Sequence, residues 1–274
     1  MDGISIIIPA NNEAGRIGPC LAALAASAPV AGAVEIIVSA NACRDATVAE
    51  AEAARPAIEA RGWRLALIDR AEPGKPGALN AGDAAARLPA RLYLDADVTV
   101  SPPLLARITA LLSRPEPAYA SGRLQMEAGG PVPRAYARTW ARVPFMARGV
   151  PGAGLFAVNA AGRARWGTWP EIIADDIFAR LQFAPAERHL ADAPYRWPLA
   201  PDWRSLVRVR RRQDAGVREI AARYPELAAN EDKLPLGLAA ALRLAARDPL
   251  SMGVYSAVAL ATRTRPSTGW TRSR

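Results

Sequence analysis

Two pairs of carboxylates carry the chemical signal of this sequence. Asp95-Ala96-Asp97 follows directly on the apolar triplet Leu92-Tyr93-Leu94. Two acidic side chains at that spacing, just past the end of a strand, can share a divalent cation or divide between a cation and ribose hydroxyls. Their oxygens are hard ligands, which suits Mn2+ or Mg2+. The second pair is Asp175-Asp176, framed by Ile172, Ile173, Ile177 and Phe178. An apolar frame takes a carboxylate partly out of water, which raises its pKa and lets it act as a general base. An acidic residue before an apolar run also fits a helix N-cap, and one member can cap while the other catalyses.

Further polar groups recur at the ends of apolar runs. The first run ends in Pro9-Ala10-Asn11-Asn12-Glu13, the second in Asn41-Ala42-Cys43-Arg44-Asp45, and the third leads into Gly74–Gly82. Asn41 and Asp45 carry groups that can hydrogen-bond a base. Lys75, one of only two lysines among 35 basic residues, sits in a glycine-containing loop suited to a phosphate or a base carbonyl. Gly77 and Gly82 allow close backbone approach. Four such ends on one sheet edge describe a nucleotide pocket.

The elements that must position these groups are legible in the hydrophobic pattern. Ile4–Ile8, Val34–Ser39, Leu65–Asp69 and Leu92–Leu94 read as buried strands. Helices are expected over Arg16–Ser27, Asp45–Ala60, with Asp45 as its cap, and Pro76–Arg87. Strands alternating with helices predict a doubly wound α/β sheet, whose ligands bind at the C-terminal strand ends. Beyond Pro102 a helix is expected at Leu104–Leu112 and strands at Tyr119–Gln125 and Leu155–Val158. From about residue 200 the chain reads as helical and arginine-rich.

Composition excludes several classes. Hydrophobic residues make up 51% and charged residues 22% of the 274, which is neither disordered nor fibrous. Two cysteines are too few for a disulfide scaffold or a cysteine zinc site, so a cytoplasmic location is expected, extending at most to peripheral contact with the inner face of the membrane. The N-terminus reads as no signal peptide, and no stretch reads as a membrane span. His189 is the single histidine, so a His-centred triad is disfavoured and His189 is expected to be structural. There is no P-loop lysine motif, and no Gly-x-Gly-x-x-Gly follows the first strand.

The order Ile-Ile-Ile-Pro-Ala-x-Asn-Glu, Ala-Asn-Ala-Cys-Arg-Asp-Ala-Thr, Gly-Lys-Pro-Gly-Ala-Leu-Asn-Ala-Gly, Asp-Ala-Asp, then Gly-Leu-Phe-Ala-Val-Asn with Ile-Ile-Ala-Asp-Asp resembles the family 2 glycosyltransferases of GT-A fold, over roughly residues 3–180. The resemblance implies an inverting, metal-dependent transfer of a sugar from a nucleoside-diphosphate sugar. By position it implies that Pro9, Ala10, Glu13, Asn41, Asp45 and Lys75 hold the donor. Asp95 with Ala96 would face the ribose and diphosphate, and Asp97, helped by Asp95, would bind the metal. Asp176 would be the base, with Asp175 beside it, and Gly152, Gly154 and Leu155 would line the acceptor side. The chain departs from the family pattern in having Asn41 where many members carry an acid, and Asp-Asp where Glu-Asp is commoner. It also lacks the Gln-x-x-Arg-Trp signature of processive synthases, reading Arg208-Val209-Arg210-Arg211-Arg212-Gln213 instead. A non-processive enzyme is therefore expected. A nucleotidyltransferase is the alternative of similar fold, though Pro-Ala-Asn-Asn-Glu is not the glycine- and arginine-rich loop that class carries.

The resulting layout is a GT-A domain over residues 1–200, with a nucleotide-binding half at 1–100 and an acceptor half at 101–200, followed by a helical arginine-rich extension over 201–274. The net charge of +9 is uneven: −3 over residues 1–100 and +12 over 101–274. Aromatic residues are sparse around Arg204–Arg218, so nucleic acid is a disfavoured partner. An anionic or lipid-linked acceptor, or a membrane surface met by Leu234–Thr262, uses the basic excess better.

Overall fold

The computed structural model of the chain describes residues 2–263. Its strands are β1 (Gly3–Ala10), β2 (Ala33–Asn41), β3 (Arg64–Arg70), β4 (Ala90–Leu94), β5 (Thr99–Val100), β6 (Tyr119–Glu127), β7 (Leu155–Val158) and β8 (Arg188–Pro198). They form one sheet in the order β3-β2-β1-β4-β7-β6-β8-β5. Strands β3, β2, β1 and β4 are mutually parallel, and β6 is parallel to β8. Strand β7 runs antiparallel to β4 and β6, and β5 antiparallel to β8. The sheet is thus mixed and mostly parallel, with helices on both faces.

The β-branched runs explain the parallel half. Ile4, Ile6 and Ile8 of β1 enter one core with Ile36, Val38, Leu21 and Leu24. Ile7 and Ile37 point the other way, to Leu79, Tyr93 and Trp169. Both faces are covered, which is why these strands read as continuous apolar runs. Gly82 belongs to this packing. A Cβ there would lie 2.4 Å from Ile7 Cγ2, so the helix Lys75–Ala85 can sit this close to β1 only with glycine.

The structure departs from the sequence pattern in several places. The helix expected over Asp45–Ala60 is two, Thr47–Ala53 and Arg55–Glu59. Pro56 lacks the N–H that would continue the first helix and fits the opening turn of the second. Strands β5 and β8 were not anticipated. Strand β8 reads Arg-His-Leu-Ala-Asp-Ala-Pro-Tyr-Arg-Trp-Pro, half exposed and without an apolar run, so pairing with β6 rather than pattern makes it a strand. The helices Pro131–Trp140 and Pro144–Arg148 were likewise unmarked in sequence. The helix expected behind the second acidic pair is Asp175–Leu181, with Ala174 at its N-cap and both carboxylates in its first turn rather than capping it.

The expected C-terminal helices are Trp203–Arg223, Leu238–Arg247 and Pro249–Arg263. Tyr136, Leu199, Leu206, Val207 and Val258 form a third core cluster that seats the first and the last of them. The remainder of the 201–274 extension, residues 264–274, lies outside the described residues. Among the described residues no helix is long and apolar enough to cross a membrane.

Candidate active site

The carboxyl ends of β1, β2, β3 and β4 converge on Lys75, the first residue of the helix Lys75–Ala85. Gly74 before it holds φ at +130°, a turn that a side chain would strain. Lys75 Nζ donates to Asp95 Oδ1 at 2.8 Å and lies 2.9 Å from Asp175 Oδ2. The ammonium therefore bridges the first members of the two acidic pairs. Burial on its own would lower the Lys75 pKa, but Asp175 and Asp95 outweigh it and hold the amine well above its ordinary value.

Asp176 is the second member of its pair and half-buried. Burial, and then the like charge of Asp175, push its pKa up to about 6 against the opposing pull of Lys75. A carboxylate of that strength is ionised at neutral pH and still basic enough to take a proton usefully. The segment carrying it is held from the C-terminal helices. Ile173 N donates to Glu219 Oε2 at 2.9 Å. Gly216 lets the helix Trp203–Arg223 press against Ala174, because a Cβ at 216 would lie 2.7 Å from the Ala174 Cβ. Arg180, on the helix that Asp175 opens, is buried and pairs with Glu231 at 3.0 Å and with Asp232. Arg188 reaches the same Asp232 at 2.8 Å. Residues 230–233 thus form a strap clamped to the helix that presents the acidic pair.

Two cavities flank Lys75. One, of about 290 Å³, is lined by Asn11, Glu13, Asn41, Gly74 and the Asp95–Asp97 turn. The other, of about 220 Å³, has Asp175 and Asp176 on its floor and Trp140, Phe145, Met146 and Trp197 on its walls. Pro9, Lys75, Asp95 and Arg212 line both.

Several residues singled out in sequence occupy these cavities and several do not. Pro9, Glu13, Lys75, Asp95 and Asp97 line the first cavity, and Gly154 the second. Asn41 also lines the first, but both ends of its amide are committed. Its Nδ2 donates to Ala10 O at 2.8 Å, and its Oδ1 accepts from Gly74 N at 3.0 Å. Asn41 is therefore a strut joining three strand ends as well as a lining residue of the cavity. Ala10 serves through its carbonyl as the strut's other half. Asp45 is exposed and accepts from Thr47 N at 3.0 Å and Ala14 N at 3.1 Å, pinning the loop after β1 to the following helix. Ala96 is buried yet lines the first cavity within the Asp95–Asp97 turn, whereas Leu155 is buried in the core and lines neither cavity. Gly152, at φ +70°, packs against the buried hydroxyl of Tyr119, 1.7 Å from where its Cβ would be. Gly82 serves helix packing, as described above. His189 meets Arg114 at 3.0 Å, outside both cavities, which fits a structural role.

Arg212 belongs to the arginine-rich stretch Arg204–Arg218 marked in sequence but was not distinguished from its neighbours there, and Glu219 and the aromatic walls were not identified from sequence. Arg212, Gly216 and Glu219 follow at i, i+4 and i+7, one face of the helix Trp203–Arg223. That spacing was legible, but nothing in the sequence says that this face meets the acidic pair.

Among the described residues no three His, Cys, Asp or Glu side chains gather as a metal centre. Asp95 and Asp97 supply hard oxygens only, a set that fits a Mn2+ or Mg2+ ion completing its shell from water and a bound diphosphate.

A single curled α/β sheet with helices on both faces and a helical C-terminal region defines a glycosyltransferase of GT-A fold. The chain belongs to glycosyl transferase family 2, whose profile matches residues 5–164. Solved structures agree on the fold. The mannosyltransferase PcManGT from Pyrobaculum calidifontis, in complex with GDP-Man and Mn2+, is 19% identical with TM-score 0.60, and the match covers 97% of this chain and 76% of that one. Glucosyl-3-phosphoglycerate synthase from Mycobacterium tuberculosis, with Mn2+, UDP and glucosyl-3-phosphoglycerate, is 20% identical with TM-score 0.55, covering 80% and 79%. S. aureus TarS is 16% identical with TM-score 0.53. That match covers 75% of this chain, which spans only 38% of the longer TarS chain. No curated protein sequence matches the chain.

Proposed function

We propose that this glycosyltransferase moves a sugar from a nucleoside-diphosphate sugar to an acceptor hydroxyl, with inversion, one transfer per encounter, and Asp176 as general base. The observation that carries the reading is the Lys75 bridge, in which Asp95 and Asp175 share one ammonium, 2.8 and 2.9 Å away. A donor cavity and an acceptor cavity then meet at the same point.

The donor enters the cavity between the ends of β1, β2 and β4. Its diphosphate meets Lys75 and the guanidinium of Arg212, a side chain suited to two-pronged phosphate contact. Asp95 and Asp97 would hold a Mn2+ or Mg2+ ion, which when bound neutralises charge on the departing diphosphate. The acceptor lies in the aromatic-walled cavity, where Asp176 takes its hydroxyl proton as the new bond forms on the face opposite the leaving group. The aromatic walls and Arg210 suit an acceptor with an apolar body and an anionic group, the lipid-linked case among them. The missing Gln-x-x-Arg-Trp sequence supports a non-processive enzyme.

A thermal-shift screen of nucleoside diphosphates and nucleotide sugars with Mn2+ tests the donor reading, because a ligand of the native state raises its melting temperature. Release of a nucleoside diphosphate is the expected product. Release of pyrophosphate would assign the site to nucleotidyl transfer instead.

A further inference from the structure

The helices Leu238–Arg247 and Pro249–Arg263 carry more apolar surface than their packing uses. The second helix turns Val254, Tyr255 and Val258 inward against the cluster around Tyr136 and Leu206. Its outer side nevertheless shows Leu250, Gly253, Ala257 and Leu260 at i, i+3, i+7 and i+10, with Leu250 70% and Leu260 64% exposed. The first helix buries none of its residues, and Leu238 and Leu242, one turn apart, are 78% and 61% exposed. A surface helix with one dry face would ordinarily be polar on the other. The first helix instead carries Arg243 and Arg247 along with its exposed leucines, and the second is uncharged up to its last residue, Arg263.

The charge on this face says what covers it. Among the described residues from Leu234 to Arg263 there are three arginines and one acidic side chain, Asp248. Asp248 is already engaged, 3.0 Å from Arg138 Nε and 2.6 Å from Ser251 Oγ. Arg243 and Arg247 stand exposed on the same helix as Leu238 and Leu242, turned about 100–180° around its axis from them. Exposed leucines flanked by arginines, with no competing carboxylate, complement a surface that is apolar below and anionic above.

We propose that these two helices dock the protein on an anionic phospholipid bilayer, the leucines entering the headgroup boundary and the arginines meeting lipid phosphates. The arrangement also connects to the site. Tyr255 lines the aromatic-walled cavity from the same helix that shows Leu250 and Leu260 outward, so docking brings that cavity to the membrane surface.

The test is co-sedimentation of the full chain with vesicles of phosphatidylcholine alone and mixed with phosphatidylglycerol. The expected result is partition onto the anionic vesicles at least about tenfold above the neutral ones, weakening as salt is raised. L238E/L242E should cut the bound fraction about fivefold or more, and R243Q/R247Q should remove the preference for anionic lipid. None of these four residues lines the donor cavity, so an unchanged thermal shift with nucleoside diphosphate confirms folding and keeps this result separate from the donor reading. Equal sedimentation of the parent and both variants would overturn the proposal, as would equal binding to neutral vesicles. A dimer that L238E/L242E converts to monomer, with no vesicle binding by the parent, would assign the face to a second copy. Should L238E/L242E fail to fold, the arginine variant and the salt series on the parent still decide.

Discussion

The ammonium of Lys75 lies 2.9 Å from a carboxylate oxygen of Asp175, which joins the start of the Lys75–Ala85 helix to the start of the Asp175–Leu181 helix. These residues are a hundred positions apart, and the same ammonium also donates to Asp95. Removing the charge leaves two carboxylates facing each other with Asp176 close behind. Lys75→Met should therefore lower kcat by about 10²-fold or more, since misplaced charge at a reacting centre costs several kcal/mol. Steady-state kinetics with titration calorimetry of a nucleoside diphosphate would measure it. Turnover within twofold of the parent would show that the bridge is ornamental.

Asp176→Asn should keep nucleoside-diphosphate binding and lose about 10²–10⁴-fold in turnover, the range for general-base help. The parent should show a pH limb. Asp176, raised to about 6 by burial and Asp175, is protonated and inactive below that value and ionised above it. Rate should climb with pH through about 6 and level off near neutrality. A profile flat from acid to neutral pH would remove Asp176 as the titrating base.

Arg212→Ala should weaken nucleoside-diphosphate binding about tenfold, equivalent to the loss of one charge-assisted contact. The free nucleoside lacks the diphosphate, so its binding should not change. Equal losses for diphosphate and nucleoside would mean that the substitution had disturbed the pocket as a whole.

Glu219 touches neither cavity wall in the proposed chemistry and acts through Ile173. Glu219→Ala should lower kcat about tenfold at unchanged nucleoside-diphosphate affinity, because it releases the Ile173 N–H that orients the acidic pair. Glu219→Gln retains an acceptor oxygen and should recover much of the loss. A fall in thermal stability alone, with kcat intact, would reduce Glu219 to a fold-stabilising residue.

Glu35 tests the donor half of the fold. It is buried and accepts from Ser5 Oγ at 2.7 Å, Arg64 at 2.8 Å and Arg87 N at 2.6 Å. Burial opposes its ionisation, but the Arg87 N–H, Ser5 and Arg64 outweigh that and hold its pKa below the usual value. Its stabilisation is thus present above the ordinary glutamate range and lost as pH falls through the lowered native value. Glu35→Ala should destabilise by about 2–3 kcal/mol at neutral pH, by urea melts, with the difference shrinking in acid.

The donor half was the legible part. The apolar runs at Ile4–Ile8 and Val34–Ser39 lie inside β1 and β2, because strands buried on both faces leave an uninterrupted signature. Leu104–Leu112 and Leu155–Val158 match the observed elements residue for residue. Strand β8 escaped because its side chains are half solvated and its pairing with β6 is set by neighbours distant in sequence. Asn41 and Asp45 drew notice for the right residue types at the right edge. Yet a polar side chain at a strand end has backbone groups to satisfy first, and both spend their oxygens there.

What the sequence by itself determined was the parallel sheet, the polar strand ends and the identity of the two acidic pairs. These follow from local periodicity and from residue types a few positions apart. Tertiary structure alone decided that Lys75 stands between those pairs and that one face of an arginine-rich helix supplies Arg212, Gly216 and Glu219 to them. It also set which leucines remain outside. Such outcomes depend on long-range packing of helices whose hydrophobic stripes say which side is dry but not which neighbour will cover it.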